Sequence, residues 1–216
     1  MTAVAEPGDD ALDELGRLRD VMHRLRSDCP WDAEQTHQSL MTYLIEETAE
    51  VVEAVENGSD AQMVEELGDV LLQVFFHAEI ATERGAFTLA DVARGVADKL
   101  IARHPYVYAD QAVPADVWGS WERRKRAEKG RASAVDGIPE TLSSVARANK
   151  VVTRVRSHQV DLGLADQPIT SEQAGLAMLE IVARAEAGHI DPDQALRTAV
   201  RQLEAAARRA EVDSGP

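Results

Sequence analysis

Glu46, Glu47, Glu50 and Glu53 recur at spacings of three and four within residues 40–56, a segment whose other positions are largely apolar. At about 100° per residue these acids fall within an arc of roughly 120°, with Leu44, Ile45, Thr48, Ala49, Val51, Val52 and Val55 forming an apolar side. Like charges at i, i+3 and i, i+4 destabilise an isolated helix, so something should neutralise this arc. A second polar stripe follows in residues 60–83, where Gln62, Glu66, Asp69, Gln73 and His77 share one side. Leu67, Val70, Leu71, Val74 and Phe75 lie largely on the others.

The segment between the two stripes predicts how they meet. Asn57-Gly58 is a helix C-terminal signal, and Ser59-Asp60-Ala61-Gln62 has the pattern of a capping box that starts a new helix. A connection this short makes the two helices antiparallel neighbours. Glu50 lies eight residues before Gly58 and Glu66 eight after, while Glu47 lies eleven before and Asp69 eleven after. The pairs stand level, the inner one about 12 Å from the turn at a rise of about 1.5 Å per residue. If the polar stripes face each other, Glu47, Glu50, Glu66 and Asp69 converge. An oxygen-only site of this kind suits a hard cation, and Mg²⁺, with Mn²⁺ as a substitute, is the expected metal. The plain alternative is a pair of solvated acidic faces.

Other residues able to do chemistry lie further along. Thr88-Leu89-Ala90-Asp91 starts a helix that His104-Pro105 ends, which puts Lys99 and Arg103 at i, i+4 on one face. Two bases near a helix C-terminus are also what the helix dipole favours. A helix over residues 114–129 carries Trp118, Trp121, Arg123, Arg124, Lys125 and Arg126, and either tryptophan can serve as a core or dimer contact. The three arginines are expected to be solvated, Trp31 to cap a core, Cys29 to be structural, and His77 to be hydrogen-bonded.

The chain resembles the MazG family of nucleotide pyrophosphohydrolases. Glu46-Glu47-Thr48-Ala49-Glu50 followed by Glu66-Leu67-Gly68-Asp69 carries the family's pair of acidic motifs. The segments from Cys29 to His37, from Glu65 to Asp69 and from Lys99 to Pro105 are similar to it as well, over roughly residues 12–130. The resemblance implies an all-α bundle that hydrolyses NTPs or dNTPs to the monophosphate and pyrophosphate. It implies Mg²⁺ on Glu47, Glu50, Glu66 and Asp69, with Glu46 helping to activate water or supporting the ligands. Lys99, Arg103 and Lys125 would contact the triphosphate and Trp121 the base, in a homodimer. Phosphoanhydride cleavage needs neutralised phosphoryl oxygens and an in-line water, which agrees with the acidic cluster.

Residues 137–216 follow a break at Asp136-Gly137-Ile138-Pro139 and contain helical segments near 140–158, 171–187 and 192–209. They echo the first half weakly. Glu66 aligns with Gln173, Asp69 with Leu176, Lys99 with Gln202 and Arg103 with Ala206, so this degenerate repeat cannot hold a metal. The expected organisation is a flexible stretch over 1–11, a catalytic domain over 12–130 and the repeat over 137–216.

Composition bounds the rest. Thirty-eight acids against 23 bases leave a formal charge of −15, which argues against duplex nucleic acid as a partner. A polyphosphate remains compatible if divalent cations stand between it and the carboxylates. One cysteine cannot form an internal disulfide, and no apolar run is long enough for a membrane span. The start MTAVAEPGDD lacks the features of a secretion signal, so a cytoplasmic location is expected. Two rivals differ in class. A ferritin-like di-metal protein would use Glu34-Gln35-Thr36-His37 but lacks the second such motif. A module that binds nucleotides or a protein partner without turnover has no evident need for the full set of acids and bases.

Overall fold

The computed structural model describes residues 9–213. Among them are ten α-helices and no strand, as the all-α expectation requires. They are α1 (Asp9–Asp28), α2 (Pro30–Glu34), α3 (Met41–Asn57), α4 (Asp60–Glu83), α5 (Leu89–Arg103), α6 (Pro105–Tyr108), α7 (Val117–Glu128), α8 (Ser144–Ser157), α9 (Ser171–Ala187) and α10 (Pro192–Asp213). The stretch expected to be flexible lies outside the described residues as far as residue 8, and α1 takes in its last three positions. No helix among the described residues is long and apolar enough to cross a membrane. The chain divides into two compact units between Leu100 and Ile101.

In the first unit α3 packs along α4, and α1 packs on α2 and α4. Met22, Leu40, Phe75, Phe76 and Ile80 are buried together, with Leu18, Leu71, Leu72 and Leu89 around them. Trp31 meets Tyr43 and Phe76 edge-on, with ring centroids 6.0 and 6.4 Å apart, at the margin of this core. Arg26 ties the pieces together. Its guanidinium pairs with Glu83 near the end of α4 and donates to the carbonyls of Asp32, Ala33 and Gln35, giving the orphan carbonyls around the end of α2 a partner.

The hairpin forms as its signals predict. Ser59 Oγ accepts from the Gln62 amide and Gln62 Oε1 accepts from the Ser59 amide at 3.0 Å, closing the capping box. Gly58 has an ordinary negative φ of −92°, so left-handed backbone is not the reason for a glycine here. A Cβ at this position would lie 2.7 Å from the Ala54 Cα and carbonyl oxygen, so the turn closes only over a bare backbone. The face of α3 turned inward carries Leu44, Glu47, Val51 and Ala54. Ile45, Val52 and Val55, expected on the apolar side, are exposed.

The second unit gathers Val135, Ile138, Val151, Val155, Val200 and Ala207 into one core between α8 and α10. Val135 and Ile138 stand on either side of the break at Asp136-Gly137, where Gly137 turns with φ +68°, and both are buried in that core. Arg147 makes a two-pronged ion pair with buried Glu204, at 3.0 and 3.1 Å. α7 and α8 begin later than their residue patterns suggest because Asp116 caps the amide of Gly119 and Ser143 that of Ala146.

Met22 and Leu40 are the largest fully buried apolar side chains of the first unit among the described residues. Met22→Ala should lower the unfolding free energy by about 2–5 kcal/mol in urea denaturation; a loss under about 0.5 kcal/mol would mean that Met22 does not fill this core.

Candidate metal centre

The turn at Gly58 and the inward orientation of α3 bring acids from both helices together. Glu47, Glu66 and Asp69 each offer a carboxylate oxygen within 4.8 Å of the others, and all three are half-buried. Glu50 is exposed and stands beside them. It lines, with Glu53, Asn57, Gln62 and Glu66, a cleft of about 240 Å³ that runs to the turn. Glu46 is exposed and is not one of the three clustered groups.

The electrostatics of the cluster follow from that crowding. Burial raises the Glu47 carboxyl above its ordinary range, and the charges of Asp69 and Glu50, a hydrogen bond to Glu50 and the charge of Glu66 raise it further. Glu66 is raised by desolvation first and then by Glu50, Glu65, Asp69 and Glu53. The leading causes of both shifts are burial and neighbouring acids, with no lysine or arginine among them. The donor set fits a hard divalent cation. In an octahedron with oxygens at about 2.0–2.1 Å, cis ligands stand about 2.9 Å apart and trans ligands about 4.2 Å, so small side-chain rotations close these three donors onto one ion.

The expected phosphate and base contacts divide between the units. Lys99 is exposed on α5 in the first unit. Arg103, Trp121 and Lys125 come together in the second. The Lys125 ammonium lies 4.5 Å from the Trp121 ring centre and the Arg103 guanidinium 5.2 Å, within cation–π range, and Trp118 stacks on Trp121 at 5.3 Å. Arg103 is buried and pairs with Glu128 at 2.7 Å. Arg126, expected to be solvated, is instead half-buried and pairs with Glu211 at 2.9 Å.

His77 does find a hydrogen bond. Its Nδ1 lies 2.8 Å from that of His37, with the rings stacked, and burial followed by the proximity of His37 lowers its pKa. Arg84 contacts His37 Nε2 at 3.0 Å, and since arginine only donates, His37 carries its proton on Nδ1 when neutral. Sequence reasoning missed this chain, the glutamates beneath Arg103 and Lys125, and the clasp made by Arg26. Only the charge of each residue signals these pairings, and charge alone names no partner.

Glu47 and Glu66 hold protons more tightly in the folded chain than in the unfolded one. Their contribution to stability is therefore present below the ordinary glutamate pKa and is lost as pH rises through the raised folded values. In metal-free buffer, Glu47→Gln should raise the melting temperature near pH 8 and leave it little changed near pH 4. Saturating Mg²⁺ should reverse the order near pH 8, because only the wild type gains full ligand stabilisation. Equal shifts at both pH values would show that Glu47 is not under repulsion.

The MazG nucleotide pyrophosphohydrolase domain matches residues 35–108, which contain α3, α4 and α5. A Thermotoga maritima protein named nucleoside triphosphate pyrophosphohydrolase/pyrophosphatase MazG is 39% identical over 208 residues, covering 86% of this chain and 81% of its own. An uncharacterized 26.1 kDa protein of Streptomyces cacaoi is 41% identical over 211 residues, covering 95% of this chain and 84% of its own. A nucleoside triphosphate pyrophosphohydrolase of Escherichia coli K12 is 40% identical over 151 residues, which are 66% of this chain and 57% of the longer relative. The acidic hairpin lies inside the matched domain, and the identity to the Thermotoga protein extends over most of both chains. This chain belongs to the MazG family of nucleotide pyrophosphohydrolases.

Proposed function

We propose that this chain hydrolyses nucleoside triphosphates, NTPs or dNTPs, to the monophosphate and pyrophosphate in a Mg²⁺-dependent reaction. The observation that carries this reading is the convergence of carboxylates from α3 and α4 with no basic side chain among the causes of their shifts. Family membership supplies the substrate class.

Glu47, Glu66 and Asp69 would hold the cation, with Glu50 completing the set from the open side of the cleft. Bound there, a divalent ion supplies charge neutralisation at the phosphoryl oxygens and lowers the pKa of water. The carboxylates also do work of their own. Glu50, exposed at the cleft beside Glu47, is suited to take the proton of the attacking water, and Glu46 is the second candidate on the same helix. Lys99, Arg103 and Lys125 are proposed phosphate contacts and Trp121 a stacking surface for the base. Attack at the α or the β phosphorus yields the same two products.

A homodimer belongs to the same proposal. Ile45, Val52, Val55, Val64 and Leu67 leave α3 and α4 with exposed apolar faces that a second copy would cover. Residues 137–216 are proposed to be a degenerate repeat kept for packing or dimerisation, and the protein to be cytoplasmic.

Incubation with each NTP and dNTP, with and without Mg²⁺, should release pyrophosphate and not orthophosphate. Glu50→Gln and Asp69→Asn should each lower kcat by at least about 100-fold. Saturable nucleotide binding with no turnover of any substrate would instead favour a binding module. Sedimentation should give twice the chain mass of 23.6 kDa, and Ile45→Glu with Val52→Glu should shift it toward a single chain.

A further inference from the structure

Beneath Trp121, the second unit holds a concentration of cations around one carboxylate. Glu122 of α7 is 1% exposed and is buried against α8, where Lys150 and Arg154 stand one helical turn apart. The Lys150 ammonium lies 3.6 Å from Glu122 Oε1 and Arg154 Nε 3.7 Å from Oε2. Both distances suit ion pairs and exceed a hydrogen bond, and Glu122 Oε1 and Arg154 Nε have no hydrogen-bond partner. One carboxylate thus stands against two cations and leaves a positive charge over.

Lys125, one turn along α7 from Trp121, makes no ion pair among the described residues. Burial lowers its pKa, Glu122 opposes that, and Lys150, Arg154 and Arg103 add to it. Arg154 gives its terminal nitrogen to the carbonyls of Ala134 and Asp136, and Arg103 is committed to Glu128. Of these four cations, Lys125 and Lys150 are the two that donate no hydrogen bond among the described residues. Both are half-buried, and Lys150 keeps 34% of its side chain in solvent. A surplus of positive charge at a half-desolvated spot favours an anion as the further partner of these ammonium groups.

We propose that Lys150 of α8, together with Lys125 of α7, forms a seat for a pyrophosphate group, either as released product or as the terminal pair of phosphates of a triphosphate. The seat rests on the polyphosphate chemistry proposed above and adds Lys150 to it. Two separate ammonium groups suit two neighbouring phosphates, whereas a planar guanidinium fork suits one.

Calorimetric titration of the full chain in Mg²⁺-free buffer isolates the seat, because there the acidic cluster repels phosphate. Pyrophosphate and a non-hydrolysable nucleoside triphosphate should each bind saturably. Lys150→Met and Lys125→Met should weaken one or both by at least about tenfold, while Lys150→Arg stays within about threefold. Loss of pyrophosphate binding alone marks a product seat, and loss of the triphosphate alone marks a seat for the substrate tail. Acetylation of wild type provides a second measurement without a substitution. Pyrophosphate should shield Lys125 and Lys150 from acetic anhydride and leave exposed Lys129 reactive. Unchanged pyrophosphate and triphosphate affinities in Lys150→Met, AMP weakened as much as pyrophosphate, or no shielding of Lys150 would each overturn the seat. An inactive protein with Lys150-dependent pyrophosphate binding would sink hydrolysis alone. An active one with Lys150-independent binding would sink the seat alone.

Discussion

Repulsion between carboxylates facing each other across a helical hairpin is the constraint on which the first unit is built. Glu47 is half-buried against α4 because α3 turns the stripe of Leu44, Glu47, Val51 and Ala54 inward, so the charge cannot swing wholly into water. Such an arrangement needs an anchor elsewhere. The C-terminal half of α4 supplies it: Phe75, Phe76 and Ile80 are buried with Met22 and Leu40, and Arg26 clasps Glu83. The turn end of the hairpin, where Val64 and Leu67 are exposed, carries the acids. Apolar packing at one end thus holds the charges in register at the other.

Much of this was legible in the residue order. The α4 boundaries, the capping box and the convergence of Glu47, Glu66 and Asp69 all follow from spacing, because helical periodicity and a two-residue turn leave the hairpin little freedom. The burial of α3 did not follow. A wheel ranks faces by hydrophobicity, whereas the short turn chose which face meets α4, and it chose the one carrying Ala54 and Glu47 over the one carrying Ile45 and Val52. Interactions between charged groups far apart in sequence, such as Arg126 with Glu211 and Arg26 with Glu83, carry no local pattern and were out of reach. The start of the second compact unit was equally hidden, since the Gly137 turn looks like a boundary although Val135 and Ile138 share a core.

The two units treat charge in opposite ways. In the first, unneutralised acids gather where solvent and a cation can reach them, and the carboxylates hold protons above their ordinary range. In the second, most buried ions are matched, Arg147 to Glu204 and Arg103 to Glu128, with Glu122 the member whose partners stand too far off for hydrogen bonds. Buried pairs of this kind contribute little net stability when complete and cost much when one member is lost, so they fix geometry more than they strengthen the fold.

The bare backbone at Gly58 also sets a length standard. Because the turn closes on Ala54 with no room for a side chain, the distance of every acid from the turn is counted in whole residues from one fixed origin. An added residue on either arm would carry that arm's acids about 1.5 Å along the axis and about 100° around it, out of reach of their partners. A matching residue in the other arm would restore the level but turn both acidic rows away from each other, so the spacing between the acidic motifs is as much a working dimension of the molecule as the motifs themselves.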